Sequence, residues 1–194
     1  AMEEDLRAAR KLQRVMMPPR GPKVRGLDIF VKARAAREIS GDVYDFFEDG
    51  DRYTVVACGD VSGKGAAAAL YGALMGGLLR TLAPRRRSPS LLMQALNEAL
   101  LERKVDAHYV SMLLALWDAE LRRFTVTNAG SIPPLICRKG ELIRPRVEGV
   151  PVGLIEGTPY DEVIIDPEPG DVIVLDHLVN EPLVHPRRRI VGLV

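Results

Sequence analysis

Apolar and polar positions along the chain alternate with two periods, dividing it into a few helices and many short strands. Residues 3–17 carry Glu3, Glu4 and Asp5 first, Arg10, Lys11 and Arg14 later, and Pro18-Pro19 as a stop. That charge order suits the helix dipole and predicts a helix. Its apolar stripe, Leu6, Ala9, Leu12 and Met16, is narrow, so this helix could dock on the domain or pair with a second copy as a homodimer. Gly26 to Ala36 reads as extended. The apolar stretch that ends at Phe47 and the run Arg52 to Cys58 flank the turn Glu48-Asp49-Gly50-Asp51, which predicts a hairpin. Ala66 to Leu82 is nearly all Ala, Leu, Gly and Met and reads as a closely packed helix. Ser88 or Ser90 can cap another helix running to about Arg103, with Leu91, Leu92, Ala95, Leu96, Ala99 and Leu100 on one face. Tyr109 to Trp117 and Leu121 to Asn128 form a second hairpin across Asp118-Ala119-Glu120. Short strands follow at Leu135 to Arg138, Glu141 to Arg144, Asp161 to Ile165 and Val172 to Leu175, the last ending on Asp176. Strands, a helix pair and further hairpins predict an α+β layered domain.

Composition narrows the function classes. At 194 residues, 47% hydrophobic and 27% charged, the chain has the make-up of a globular domain with a core of its own. A formal net charge of +1 provides no global field for nucleic acid or membrane, and neither is expected as a partner. Arg85-Arg86-Arg87 and Arg187-Arg188-Arg189 sit beside prolines without interleaved aromatics and read as solvated loop charges. Cys58 and Cys137 lie in apolar segments and read as buried thiols of a reducing compartment, so the expected location is cytoplasmic. The acidic opening is unlike a secretory leader. Ala66 to Leu79 stops short of the roughly 18 apolar residues of a membrane span, and its length and glycines favour a core helix.

The chemistry concentrates in Cys58-Gly59-Asp60-Val61-Ser62-Gly63-Lys64-Gly65, where a buried strand gives way to a helix. A phosphate-cradling loop needs four residues between its glycines and a hydroxyl after the lysine. Here Gly59 and Gly63 enclose only three, and Gly65 replaces the hydroxyl. Without other acids nearby, Asp60 would read as a helper to Ser62 in capping the helix. The first hairpin, however, brings Asp42 or Asp45 towards Asp60. Carboxylates converging without a basic partner repel, and a hard divalent cation relieves that repulsion.

These segments resemble the metal-dependent serine/threonine phosphatases of the PPM family, in the bacterial branch typified by SpoIIE, RsbU and RsbX. The resemblance rests on Ala36-Arg37-Glu38-Ile39-Ser40-Gly41-Asp42-Val43-Tyr44-Asp45, on Gly59 to Gly65 with the alanines after it, and on Asn128-Ala129-Gly130 with Pro133-Pro134. Pro151-Val152-Gly153-Leu154, Pro169-Gly170-Asp171 up to Asp176, and Leu12-Gln13 ahead of Met17-Pro18 follow the same order. It implies an α-β-β-α sandwich of two antiparallel sheets flanked by helices, with residues 1–19 leading into a phosphatase domain over 20–194. It also implies a binuclear manganese or magnesium site. Asp60 would bridge both ions, the carbonyl of Val61 would complete the first, Asp42 would hold a metal-bound water, and Asp176 would ligate the second. All-oxygen ligation favours these ions over zinc. Arg37, five residues before Asp42, stands where more distant relatives grip phosphate. The implied substrate is phosphoserine or phosphothreonine on a STAS-domain or stressosome protein.

The match has gaps. Leu175 and His177 flank Asp176 where the family has Thr-Asp-Gly, Asn180 replaces a glutamate, and Ser131 stands where a histidine is typical. The expected closing strand with Asp-Asp-x-Thr is missing, so the second ion should bind weakly. An alternative therefore stands beside the enzyme: a non-catalytic protein-binding module that kept the fold and lost one metal.

Overall fold

A computed structural model describes residues 2–31, 39–85, 87–102, 108–175 and 191–193. Two five-stranded antiparallel sheets make its centre. The first contains β2 (Asp42–Asp49), β3 (Tyr53–Val61), β4 (Val110–Asp118), β5 (Arg123–Ala129) and β8 (Val163–Ile165), in the order β2-β3-β4-β5-β8. The second contains β1 (Ile29–Val31), β6 (Leu135–Arg138), β7 (Glu141–Ile143), β9 (Val172–Leu175) and β10 (Val191–Leu193), in the order β1-β10-β9-β6-β7. The helices are α1 (Met2–Met16), α2 (Gly65–Leu82) and α3 (Pro89–Leu101). Two packed antiparallel sheets with helices laid against them are the sandwich that the family resemblance implies, within the α+β class read from the residue patterns.

Alternation along β3 and β4 builds two core layers. Val43, Val55, Ala57 and Val61 meet Ala68, Tyr71, Met75 and Leu79 of α2 and Leu92, Leu96 and Leu100 of α3. Val56, Cys58, Leu113, Ala115 and Trp117 point the other way, to Ile136, Ile173 and Leu175 of the second sheet. Strands buried on both faces lose the polar alternation of a one-sided sheet, which is why β3 and β4 read as continuous apolar runs. Trp117 stacks on Phe124 with ring centroids 4.6 Å apart and donates its indole N–H to the carbonyl of Arg25 at 3.0 Å. A buried indole needs such an acceptor.

Helix α2 is long and apolar enough, by length and composition, to cross a membrane. Its inward stripe is nevertheless spent on β2, β3 and α3. Gly72 lets it approach closely, since a Cβ there would stand 3.3 Å from the carbonyl oxygen of Gly41. Ser88 caps α3, accepting the N–H of Leu91 at 3.3 Å, with Pro89 at the first helical position.

Three sequence expectations change. Helix α1 does not dock through its apolar stripe: Leu12 is 66% exposed, Val15 79% and Met16 47%. The half-buried positions are Leu6, Arg10, Gln13 and the adjoining Met17, one face at helical spacing with two polar members. A closing strand does exist, because β10 lies between β1 and β9 with Val191 opposite Leu175, although its Val-Gly-Leu sequence carries no acid. Of the two cysteines, Cys58 is buried and Cys137 only half-buried.

Two tight turns are held by acids. Asp118 accepts the N–H groups of Glu120 and Leu121 at 2.9 and 3.1 Å and pairs with Arg52 at 2.9 Å. Asp171 accepts the N–H of Glu168 at 2.9 Å and both Nε and Nη2 of Arg138. The arginine hydrogen bonds hold both carboxyls below the ordinary aspartate range. A depressed acid stabilises the fold above its unfolded pKa of ~4, and that contribution fades as pH falls through the folded value. Asp171→Asn therefore lowers the melting temperature at pH 7 and narrows the gap between melts at pH 7 and pH 3. Equal pH sensitivity in both proteins would contradict this.

Candidate metal centre

The β2–β3 hairpin sets Asp42 directly opposite Asp60. Strand periodicity then fixes which way each carboxylate projects. Val43 belongs to the helix-side core, whereas Tyr44 and Phe46 pack between the sheets. Asp42, two residues from Tyr44, takes the inter-sheet side, and Asp60 follows Cys58 to that same side. Both are half-buried at the hairpin's open end. Like charges directly opposite each other destabilise a sheet.

Gly41 explains how the strands come so close at this point. The amide of Val61 donates to the carbonyl of Gly41 at 3.1 Å. A Cβ at Gly41 would lie 2.9 Å from the carbonyl oxygen of Val61 and 3.1 Å from Oδ1 of Asp60. Only glycine leaves this space, and the atoms around it include the two oxygens that the family resemblance assigns to an ion. Two facing carboxylates with a strand-end carbonyl beside them fit a hard divalent cation in donor type.

Beyond Val61 the loop is strapped to β4. Ser62 donates its N–H to the carbonyl of Tyr109 at 2.8 Å and accepts the N–H of Tyr109 on its hydroxyl at 2.9 Å. His108 places Nδ1 3.1 Å from the carbonyl oxygen of Ser62 and leans on the ring of Tyr71. Ser62 is thus a strap and not a helix cap: the N-cap of α2 is Lys64, which makes no side-chain capping bond. Gly63 adopts φ +96° against His108, a conformation that side chains resist.

Asp45 separates from Asp42. It faces α2, 5% exposed, opposite Ala57, and pairs with Arg80 at 2.9 Å. Burial pushes its carboxyl up, against the pull of the Phe46 N–H and of Arg80. Above a raised folded pKa the charged acid costs the fold stability, and the cost is relieved as pH falls towards the unfolded value. Asp45→Asn should therefore keep its melting temperature within a few degrees at pH 7, keep metal affinity, and lose the wild type's relative gain in stability on acidification. Loss of metal binding in calorimetry would place Asp45 in the site instead.

Arg37 and Asp176 lie outside the described residues. Leu175, immediately before Asp176, is buried in the inter-sheet core. Among the described residues no three His, Cys, Asp or Glu side chains gather as a metal cluster. The structure adds Ser40, whose hydroxyl donates to Oδ2 of Asp42 at 2.5 Å. The i, i+2 spacing of Ser40 and Asp42 in an extended segment was the signal available for it.

The family model described as Stage II sporulation protein E (SpoIIE) matches residues 50–176, well over half of the chain. The chain belongs to the SpoIIE family. Asp60 falls inside the matched span, Asp176 is its last residue, and Asp42 precedes it. A curated relative, phosphoserine phosphatase RsbU of Bacillus subtilis, is 27% identical over 90% of this chain and 52% of its own length. This SpoIIE-family chain thus spans about half of that relative. Among solved structures, the SiaA PP2C domain of Pseudomonas aeruginosa superposes with a TM-score of 0.74 at 19% identity, covering 90% of this chain and 71% of that one. The SpoIIE PP2C phosphatase domain with a regulatory fragment, from Bacillus subtilis, gives 0.67 at 22% identity over 78% of this chain and 45% of that one. The catalytic domain of the phosphatase PstP in complex with 2 manganese ions gives 0.56 at 15% identity over 78% and 76%. The SpoIIE-family chain therefore has the PP2C fold.

Proposed function

We propose that this domain is a metal-dependent protein phosphatase that hydrolyses phosphoserine or phosphothreonine on a regulatory protein. The observation that carries the reading is the register pairing of Asp42 with Asp60 on one face at the open end of the hairpin. A divalent cation bound there, manganese or magnesium, supplies charge that acidifies a water and neutralises phosphoryl oxygens. Asp60 is proposed to span two ions, the Val61 carbonyl to complete the first site, Asp42 to hold and orient the attacking water, and Asp176 to serve the second ion. Arg37 is proposed to grip the phosphate. The acid-free sequence of β10 supports a weak second site, so manganese titration should give one tight ion per chain, and two tight ions would contradict it.

The proposed substrate class is a phosphorylated STAS-domain or stressosome protein of a partner-switching pathway, in the cytoplasm. Support comes from the likeness to RsbU, named as a phosphoserine phosphatase. Residues 1–19 are proposed as a lead-in helix to a phosphatase domain over 20–194. Leu12, Val15 and Met16 offer an outward apolar face through which two copies could pair. Incubating the protein with phosphoserine substrate and manganese, with and without chelator, tests the reading. Chelator-sensitive phosphate release is expected. Manganese binding without any release would favour the second reading, a binding module, which the acid-free β10 also supports.

A further inference from the structure

We propose that Gln13, on the far side of the sheet edge, is a positioning residue for Asp42. This inference rests on the metal-site reading above. Among the described residues β2 is the edge of its sheet, with a neighbouring strand, β3, on one side. Gly41 turns its carbonyl to that neighbour, accepting from Val61. The backbone groups of Ser40, one residue earlier, face the opposite way and have no strand to meet. The side chain of Gln13 takes the place of that strand. Its Nε2 donates to the carbonyl of Ser40 at 2.5 Å, and the N–H of Ser40 donates to its Oε1 at 3.2 Å. A carboxamide carries one donor and one acceptor group on a single plane and so pairs with a peptide unit as another peptide would.

The consequence reaches the carboxylate through one further bond. Ser40, its backbone N–H and carbonyl both held by Gln13, donates its hydroxyl to Oδ2 of Asp42. Two residues past Asp42, the hydroxyl of Tyr44 donates to the carbonyl of Pro18 at 3.0 Å. Asp42 is thus bracketed by two ties to the segment that contains α1. This accounts for the polar character of the docked face of α1: Gln13 is spent on a backbone pairing that leucine could not make. Groups that orient a metal's carboxylate ligands typically contribute roughly 10- to 100-fold in affinity when removed.

Manganese affinity, measured by calorimetry and by paramagnetic resonance of free ion, tests the proposal without relying on turnover. Gln13→Ala should weaken binding about tenfold, and the rate at saturating manganese should recover to near the wild-type value. Lys11→Ala, exposed on the same helix, should bind as wild type does. In a Ser40→Ala background, adding Gln13→Ala should change affinity less than about twofold, because the route from Gln13 to Asp42 is already cut. Wild-type affinity in Gln13→Ala, or an undiminished Gln13 effect without the Ser40 hydroxyl, would overturn the proposal and leave the metal site standing. Absence of manganese binding in the wild type would remove the metal reading itself, and this inference with it.

Discussion

Asp60→Asn should reduce manganese-dependent phosphate release by at least about 10³-fold, a loss of about 4 kcal/mol of transition-state stabilisation, while the protein stays folded. Asn keeps the shape of Asp and one of its oxygens but withdraws the charge. In the sheet, that change relieves a like-charge pair, since Asp42 stands directly opposite. The melting temperature without metal should therefore hold or rise. Added manganese should raise it in the wild type and leave the variant unmoved, since an ion stabilises only the state that binds it. This opposition between stability and activity separates a ligand from a structural acid. A variant that melts early and loses activity in proportion would mean that Asp60 serves the fold.

Gly41→Ala should cost manganese affinity and activity by about 100-fold without removing any ligand. The added methyl would press on the carbonyl oxygen of Val61 at 2.9 Å and on Oδ1 of Asp60 at 3.1 Å. The first of these is backbone held beside Val110 of β4 and by the Val61 N–H bond to Gly41, and it has little freedom to retreat, so the β2–β3 separation must grow at the point where Asp42 and Asp60 face each other. Gly72→Ala provides the contrast. It meets the carbonyl of Gly41 from the helix side at 3.3 Å, a contact that a small shift of α2 can absorb, and it should lose no more than a few-fold in affinity. Circular dichroism and manganese titration on the two variants decide the matter, and equal, wild-type-like affinity in both would refute the crowding argument.

How much of this was legible in the sequence depended on whether the deciding contact was local. The β2–β3 hairpin announced itself because its turn carries Asp49-Gly50 and its strands are apolar runs. The hairpin pattern alone left Asp42 and Asp45 open, and only the resemblance favoured Asp42: a three-residue difference puts them on opposite faces, and the register sets Asp42, not Asp45, opposite Asp60. Helix α1 was recognised, but of the apolar stripe offered for docking or pairing only Leu6 lies on the half-buried face. Hydrophobic periodicity weighs Leu12 and Met16 and assigns nothing to a glutamine that pairs with backbone. Strand β10 escaped notice because three residues between two distant strands gain their pairing from the fold and not from propensity. The tie between Ser62 and Tyr109 was likewise invisible, because the two residues are remote in sequence.

The account stands on an ion shared by two strand-end carboxylates, and anomalous scattering from a manganese-soaked crystal would locate it directly. The expected result is a peak between the Asp42 and Asp60 side chains, within about 2–2.5 Å of a carboxylate oxygen of Asp60, with Asp42 reaching it through a water. A well-ordered hairpin with no peak there at millimolar manganese would contradict it.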